Sequence, residues 1–170
     1  MKNKLLAVLA IVGILLFAVS DSLFAENSIE GIWRITKITT TTSQGDNTNP
    51  QLLPSMYVFT KKHYSIIWMP GRELQKNYAK RWQPTSEEKV QSYNSIIVNA
   101  GTYSIEENVI TTKPVIAKTP DFIGGYAKFE YEVEGNVLKL TRIDTMSNDG
   151  IQDAGALQVK TTLVLERIEE

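Results

Sequence analysis

The chain has 170 residues, no cysteine, and a formal net charge of −1 from 18 basic and 19 acidic residues. A charge this close to neutral argues against a nucleic-acid partner and against a polybasic membrane tether. Without cysteine the chain has neither a disulfide framework nor a thiol for lipid attachment, so its core alone must stabilise the fold.

The first 25 residues have the three-part layout of a secretory signal. Lys2 and Lys4 precede an uncharged apolar run that ends at Val19. This run is shorter than the roughly 20 residues needed to span a bilayer, which disfavours the alternative of a retained anchor. We predict a signal peptide over 1–25, cleaved after Ser20 or Ala25, and one exported domain over 26–170. That domain is expected in the periplasm or medium, with no stable membrane span after cleavage.

From Ile29 onward, apolar residues mostly recur with period two between turn residues, which is typical of strands. Short connections at 61–62, 107 and 135–136 indicate that neighbours in sequence are neighbours in space. The pattern predicts an all-β fold, an eight-stranded antiparallel up-and-down β-barrel, with a two-sheet sandwich as the alternative. The predicted strands are 30–41, 55–60, 63–69, 101–106, 108–117, 126–134, 137–144 and 157–168.

One segment departs from the β pattern. Thr85 and Glu88 have the spacing of a capping box, and Val90, Tyr93 and Ile97 follow at helical spacing. We therefore predict one short α-helix over about 86–98, between strands three and four, with an apolar stripe against the barrel. The polar segments 43–54, 70–84 and 145–156 are predicted to be loops that form the rim of a cavity.

Four motifs resemble those of the bacterial lipocalin-like domain family, over most of the chain after residue 28. They are Gly31-Ile32-Trp33, Phe59-Thr60, Gly101-Thr102-Tyr103 and Glu166-Arg167. The resemblance implies a calycin-type barrel with an internal ligand cavity, but it implies no agreed substrate or reaction. It also implies a structural plug at one end, formed by Gly31, Trp33 and Arg167, in which the guanidinium stacks on the indole.

Alternation along each strand predicts which side chains face the interior, once Trp33 is taken to point inward. Arg142 shares the inward parity of its strand and leads into a long loop, so it suits a ligand carboxylate or sulfonate. The alternatives are an Arg142 that extends to solvent and a barrel filled by its own side chains. The predicted ligand-binding residues are Tyr57, Phe59, Tyr64, Ile66, Trp68, Tyr103, Phe129, Tyr131, Leu140 and Arg142.

Other chemistries have weaker support in the sequence. His63 is the single histidine and is assigned to a turn, which argues against a zinc site or a catalytic triad. The aspartates of the 144–153 segment lack the ligand rhythm of a calcium loop. No cofactor or metal is predicted.

These features predict an exported protein that binds a small hydrophobic or amphipathic molecule inside the barrel. One alternative is a small barrel enzyme of the isomerase or cyclase type, for which no inward-facing carboxylate supplies a base. Another is a filled barrel that presents its loops to a partner. The oligomeric state is left open.

Overall fold

The structure, a computed structural model, describes residues 28–51 and 53–169. The predicted signal peptide over 1–25 therefore lies outside the described residues. Among the residues that are described, no helix is both long enough and apolar enough to cross a bilayer.

Within the described ranges, nine antiparallel strands form one continuous sheet. Their bounds are β1 (Gly31–Thr42), β2 (Gly45–Pro50), β3 (Ser55–Phe59), β4 (His63–Trp68), β5 (Ile97–Glu106), β6 (Val109–Ala117), β7 (Tyr126–Glu134), β8 (Val137–Met146) and β9 (Lys160–Glu169).

The sheet closes on itself because β1 pairs with β9 along nearly its whole length. On its other edge, β1 pairs first with β3, over Gly31–Trp33, and then with β2, over Lys37–Thr42. The barrel thus consists of eight strands, β1 and β3 to β9, and β2 extends it as the second arm of a hairpin. The predicted closed eight-stranded up-and-down barrel is confirmed.

Strand β2 was predicted to be part of a loop. Its sequence, Gly45–Pro50, contains no alternating apolar residues, and its side chains are almost all exposed. Backbone pairing with β1 on one edge is what makes it a strand. A strand that buries no face leaves no hydrophobic period in the sequence, so pattern alone could not reveal it.

Helix α1 (Ser86–Asn94) begins with the predicted capping box. The Thr85 hydroxyl accepts from the Glu88 amide at 3.3 Å, and the Glu88 carboxylate accepts from the Thr85 amide at 2.8 Å. The helix lies between the fourth and fifth strands, rather than the third and fourth, because β2 adds one strand to the count. It also ends earlier than predicted, because residue 97 already belongs to β5.

The predicted apolar stripe of α1 is wrong, because no residue of the helix is buried. Val90 and Tyr93 are 59% and 48% exposed. The helix is held instead through Tyr93 and Lys118. The Tyr93 hydroxyl donates to the Lys118 carbonyl at 3.2 Å, and the Lys118 ammonium donates to the Tyr93 carbonyl at 2.9 Å and lies 4.5 Å from its ring centre.

Two short helices occupy connections that were predicted to be loop or strand. A 3₁₀ turn (Pro120–Phe122) follows β6, and helix α2 (Ala154–Gln158) precedes β9. Strand β9 consequently starts at Lys160 rather than at 157, and β8 continues to Met146.

One end of the barrel is closed and densely packed. Trp33 is completely buried, its indole nitrogen donates to the Ile29 carbonyl at 2.8 Å, and the Arg167 guanidinium lies 4.1 Å from its ring centre. Arg167 also donates to the carbonyl oxygens of Ser28, at 2.7 Å, and Glu30. Gly31 is buried at a φ of 126°, a conformation that favours glycine, where the chain turns into β1. The long connections all lie at the opposite, open end.

Candidate functional site

A cavity of about 720 Å³ occupies the open half of the barrel. Its inner wall comes from seven strands, because each contributes the inward-facing residues near its open end. The wall residues are Tyr57, Ile66, Trp68, Ile97, Asn99, Thr112, Ala127, Phe129, Arg142, Thr145, Thr161 and Leu163.

Five of the ten predicted ligand-binding residues line this cavity. They are Tyr57, Ile66, Trp68, Phe129 and Arg142. The other five lie in or against the packed core toward the closed end, among them the edge-to-face pair of Phe59 and Tyr103, whose ring centres are 5.4 Å apart. The remaining three are Tyr64, Tyr131 and Leu140.

Strand alternation explains this division, because it gives the facing of a side chain but not its depth. Phe59 and Tyr64 flank the β3–β4 turn at the closed end, and Tyr131 and Leu140 pair with each other near the β7–β8 turn. All of them face inward, but their side chains fill the part of the barrel that the plug closes.

The cavity has one apolar side and one polar side. Ile66 and Trp68 of β4 and Ile97 of β5 provide the apolar side. In a ring of eight strands, β8 lies four positions from β4, so Arg142 faces this side across the lumen. Thr161 of β9 lies next to Arg142 in the sheet.

A bulge in β8 shapes the polar side. Phe129 pairs with Arg142, whereas the preceding Lys128 pairs with Asp144, so Ile143 is an extra residue in β8. The insertion reverses the alternation and brings Thr145 to the inner wall together with Arg142. Strict alternation along β8 could not predict this position for Thr145.

Two polar atoms on this side are buried without a hydrogen-bond partner among the described residues, Nε of Arg142 and Oγ1 of Thr145. Buried polar groups in folded proteins nearly always have a partner, because leaving them unpaired costs free energy. Both atoms belong to residues of the same cavity wall. This coincidence distinguishes the polar side from the rest of the wall.

Tyrosine hydroxyls lie across and below this region. Tyr57 lines the cavity, and burial alone raises its pKa well above the ordinary value, so it stays protonated and able to donate. Burial also raises the pKa of Tyr64 to about 12. The Tyr64 hydroxyl is buried below the cavity beside Thr112, whose own hydroxyl donates to the Ala127 carbonyl at 3.1 Å.

Asn99 is a further wall residue that the sequence analysis missed. It is 8% exposed and lies between Ile66 of β4 and Ala117 of β6. The predicted helix ended at about 98 and the predicted strand began at 101, so Asn99 was assigned to the connection between them. The run Ile96 to Val98, which continues the β pattern toward Gly101, was the available signal.

The Asp144 carboxylate holds the loop at the mouth of the cavity by hydrogen bonds. Asp144 accepts hydrogen bonds from the Gln152 amide, at 2.8 Å, and the Tyr126 hydroxyl, at 2.9 Å. The bond from Gln152, followed by that from Tyr126, lowers the pKa of Asp144. The loop that follows β8 is thereby joined to β7 and β8, and it places Ile151, Gln152 and Asp153 at the mouth.

The remaining acidic residues of this loop form local turns. The Ser147 hydroxyl donates to Asp149 and is the main cause of a lowered Asp149 pKa, and the Gly155 amide donates to Asp153 at 2.9 Å. Within 28–51 and 53–169, no three His, Cys, Asp or Glu side chains are grouped as a metal site. His63 is the exposed first residue of β4.

An eight-stranded antiparallel barrel, plugged by tryptophan and arginine at one end and hollow at the other, is the architecture of a lipocalin-like barrel. A sequence model of the lipocalin-like domain family matches residues 30–168 of the chain. The protein belongs to this lipocalin-like family.

Among solved structures, the chain is similar to a lipocalin-like protein from Bacteroides uniformis. The two share 14% sequence identity with a TM-score of 0.42, and the match covers 82% of this chain and 98% of the other. No curated protein matches the chain significantly.

Proposed function

We propose that the protein binds one small hydrophobic or amphipathic molecule inside the open half of the barrel. The observation that carries the proposal is the cavity of about 720 Å³ with an apolar side and a few polar groups. Ligand pockets are commonly of roughly 300 to 1,000 Å³, mostly apolar, with a small number of placed polar groups.

The contrast between the two halves of the barrel supports binding over a purely structural role. The closed half is filled by completely buried side chains such as Trp33, Leu138 and Leu165. In the open half the same strands leave a space bordered by Trp68 and Phe129. A mostly apolar space of this kind, bordered by strands that fill the other half of the barrel, suits a ligand.

The inner wall favours binding over proton-transfer catalysis. The described carboxylates that border the cavity are Asp121, Asp149 and Asp153, and all three are exposed at the mouth. The wall itself offers hydroxyl, amide and guanidinium groups, which can orient a ligand but do not supply a general base near neutral pH.

The proposal includes export. Its support is the sequence of residues 1–25, with lysines before an apolar run and small residues at two candidate cleavage points. Binding would then take place in the periplasm or the medium.

Native mass spectrometry of the full chain, expressed in and recovered from a bacterial cell envelope, tests both parts. The intact mass reports cleavage after Ser20 or Ala25, and an added mass that dissociates on activation reports a bound small molecule. A mass that still includes residues 1–25 would contradict the cleaved signal.

A cavity-filling variant provides the sharper test of binding. Ala127 is 5% exposed and lines the cavity, so Ala127→Phe places a ring in the space. We expect at least about tenfold weaker binding of the uncharged probe N-phenyl-1-naphthylamine, measured by fluorescence titration, because the ring competes for the apolar volume.

Val137→Phe is the matched control, because Val137 is 43% exposed at the closed end. It should leave probe binding unchanged. Equal binding by the wild type and Ala127→Phe, with both proteins folded, would place the bound probe outside the cavity and contradict the proposal.

A further inference from the structure

The polar side of the cavity contains a cation whose hydrogen-bonding capacity is not used. Nε of Arg142 is buried and has no partner among the described residues, and no described carboxylate forms an ion pair with this arginine. Arg142 as a whole is half-buried, but leaving its buried Nε unpaired is costly, and a carboxylate or sulfonate is the group that the planar donors of a guanidinium match.

A second donor lies at the next inward-facing position of β8. The β8 bulge brings Thr145 to the same wall, and its buried hydroxyl also lacks a partner among the described residues. A hydroxyl beside a guanidinium is the arrangement that an anion needs, since both groups donate to the same oxygens. These two donors without described partners belong to successive inward-facing residues of one strand, so one acceptor can serve both.

The opposite wall of the cavity favours an apolar body for the part of the ligand that lies beyond its anionic group. Ile66 and Trp68 face Arg142 across the lumen, and Phe129 lies beside it in the sheet. An anionic group at Arg142 therefore leaves the attached body against aromatic and aliphatic side chains, where burial of apolar surface stabilises it.

The charged residues at the mouth of the cavity limit the number of anionic groups that a ligand can carry. These residues are Lys118, Asp121, Asp149 and Asp153, a ratio of one cation to three carboxylates. A ligand with a second anionic group near the mouth would meet these carboxylates, whereas a single anionic group at Arg142 lies on the inner wall.

We propose that the ligand is an organic monoanion, with one carboxylate or sulfonate held by Arg142 and Thr145 and an apolar body against β4; this rests on the proposed function. Nucleotides and other polyanions do not fit the acidic mouth. Thr145 acts as a specificity-determining residue beside the cation.

Two fluorescent probes with the same ring system test the proposal. 8-Anilinonaphthalene-1-sulfonate carries a sulfonate, and N-phenyl-1-naphthylamine does not. Both are titrated at pH 7 into the protein that spans residues 26–170, with the fold of each variant checked by circular dichroism.

Arg142→Met keeps a long side chain without the charge. We expect it to weaken binding of the sulfonate probe by about 10- to 150-fold, which is the range for losing a hydrogen bond to a charged group. Binding of the uncharged probe should weaken by less than about twofold. Thr145→Val removes a neutral hydrogen-bond donor and keeps the shape of the side chain. It should weaken binding of the sulfonate probe alone, by about three- to tenfold.

Arg34→Met is the matched control, because Arg34 is exposed on the outside of the barrel in a 2.9 Å ion pair with Glu166. It should leave both titrations unchanged. A competition experiment tests how many anionic groups the ligand can carry. Dodecanoate should displace the sulfonate probe, and dodecanedioate should displace it about fivefold more weakly, because its second carboxylate meets the acidic residues at the mouth.

The outcomes separate the two proposals. If the wild type binds the uncharged probe but Arg142→Met leaves the sulfonate probe unchanged, water satisfies Arg142 and the monoanion inference is overturned while ligand binding stands. If dodecanedioate competes as well as dodecanoate, the single-charge limit is overturned. If neither probe binds the wild type, the proposed function fails and the inference fails with it.

Discussion

Every part of the Trp33 side chain has a packing or hydrogen-bond partner, as a residue that closes the end of a barrel requires. Its ring is completely buried, its N–H donates to Ile29, and its face carries the Arg167 guanidinium. Arg167 in turn donates to two carbonyl oxygens of the segment before β1. The indole, the guanidinium and the N-terminal segment therefore stabilise one another and seal the closed end.

Tyr64 contrasts with this arrangement, because its hydroxyl is buried and lacks a hydrogen bond of good geometry among the described residues. Removing an unsatisfied buried hydroxyl removes its desolvation cost. We expect Tyr64→Phe to leave the free energy of unfolding unchanged or to raise it by up to about 1 kcal/mol, measured by urea denaturation.

Tyr103→Phe is the matched control for that measurement. The Tyr103 hydroxyl donates to the Thr60 carbonyl at 2.6 Å, and this bond is lost in the variant. We expect a loss of about 1 kcal/mol. A Tyr64→Phe protein destabilised as much as Tyr103→Phe would show that Tyr64 has a partner that the geometry does not reveal.

The facing of single residues was predictable where strands are regular. Arg142 follows Leu138 and Leu140 at period two, and these two are buried in the structure. Thr145 and Asn99 were not predicted, because a bulge reverses the alternation in β8 and because β5 begins earlier than its predicted start. Bulges add one residue without a hydrophobic signature, so sequence periodicity does not locate them.

At the scale of elements, α1 shows that capping and packing are separate sources of helix formation. The capping box forms as the sequence indicates, yet the helix buries none of its residues. Local hydrogen bonds therefore define its start, while its attachment to the barrel depends on the Tyr93–Lys118 contacts. The buried stripe predicted from the period of Val90, Tyr93 and Ile97 is wrong, because the first two are exposed and Ile97 belongs to the next strand.

Because capping of α1 is separate from its packing on the barrel, the cap can be tested alone. Thr85→Ala removes the acceptor of the Glu88 amide and should destabilise α1 by about 1 kcal/mol. Because the helix contributes no buried surface to the core, the cooperative unfolding of the barrel should be unaffected. Hydrogen exchange should accelerate several-fold within 86–94 while the melting temperature stays within about 1 °C of the wild type.

Thr119→Ala is the control, since Thr119 precedes the 3₁₀ turn without a side-chain capping bond. It should leave exchange in 86–94 unchanged. A fall in melting temperature of several degrees in Thr85→Ala would mean that α1 is part of the cooperative unit, contrary to its exposure.

At the scale of the whole molecule, the closed topology was predictable and the division into a filled and a hollow half was not. Strand count, short hairpins and the Trp33 and Arg167 motifs are all local signals, and together they imply closure. Whether rings such as Tyr57 and Phe129 meet in the lumen or leave space depends on strand tilt and depth. Those quantities arise from the assembled sheet, and they separate the residues that line the cavity from those that fill the core.

The open half should also be the pH-sensitive half. Asp144 joins the loop after β8 to the barrel, and its hydrogen bonds lower its pKa in the folded state. A carboxyl with a lowered folded pKa contributes stability that is present above its unfolded pKa, about 3.9, and is lost as pH falls through the folded value. The contribution should therefore be complete at neutral pH and disappear below about pH 4.

Loss of this contribution should loosen the mouth before the plugged end unfolds, because the buried plug is held by hydrogen bonds from Trp33 and Arg167 to backbone carbonyl oxygens, which involve no carboxylate. We expect binding of N-phenyl-1-naphthylamine to weaken as pH falls from 5 to 3, in titrations at fixed ionic strength. Asp144→Asn should bind more weakly at pH 7 and show a flatter pH profile, whereas Asp46→Asn, at an exposed aspartate on β2, should retain the wild-type profile. Identical profiles for the wild type and Asp144→Asn would show that another group controls the mouth.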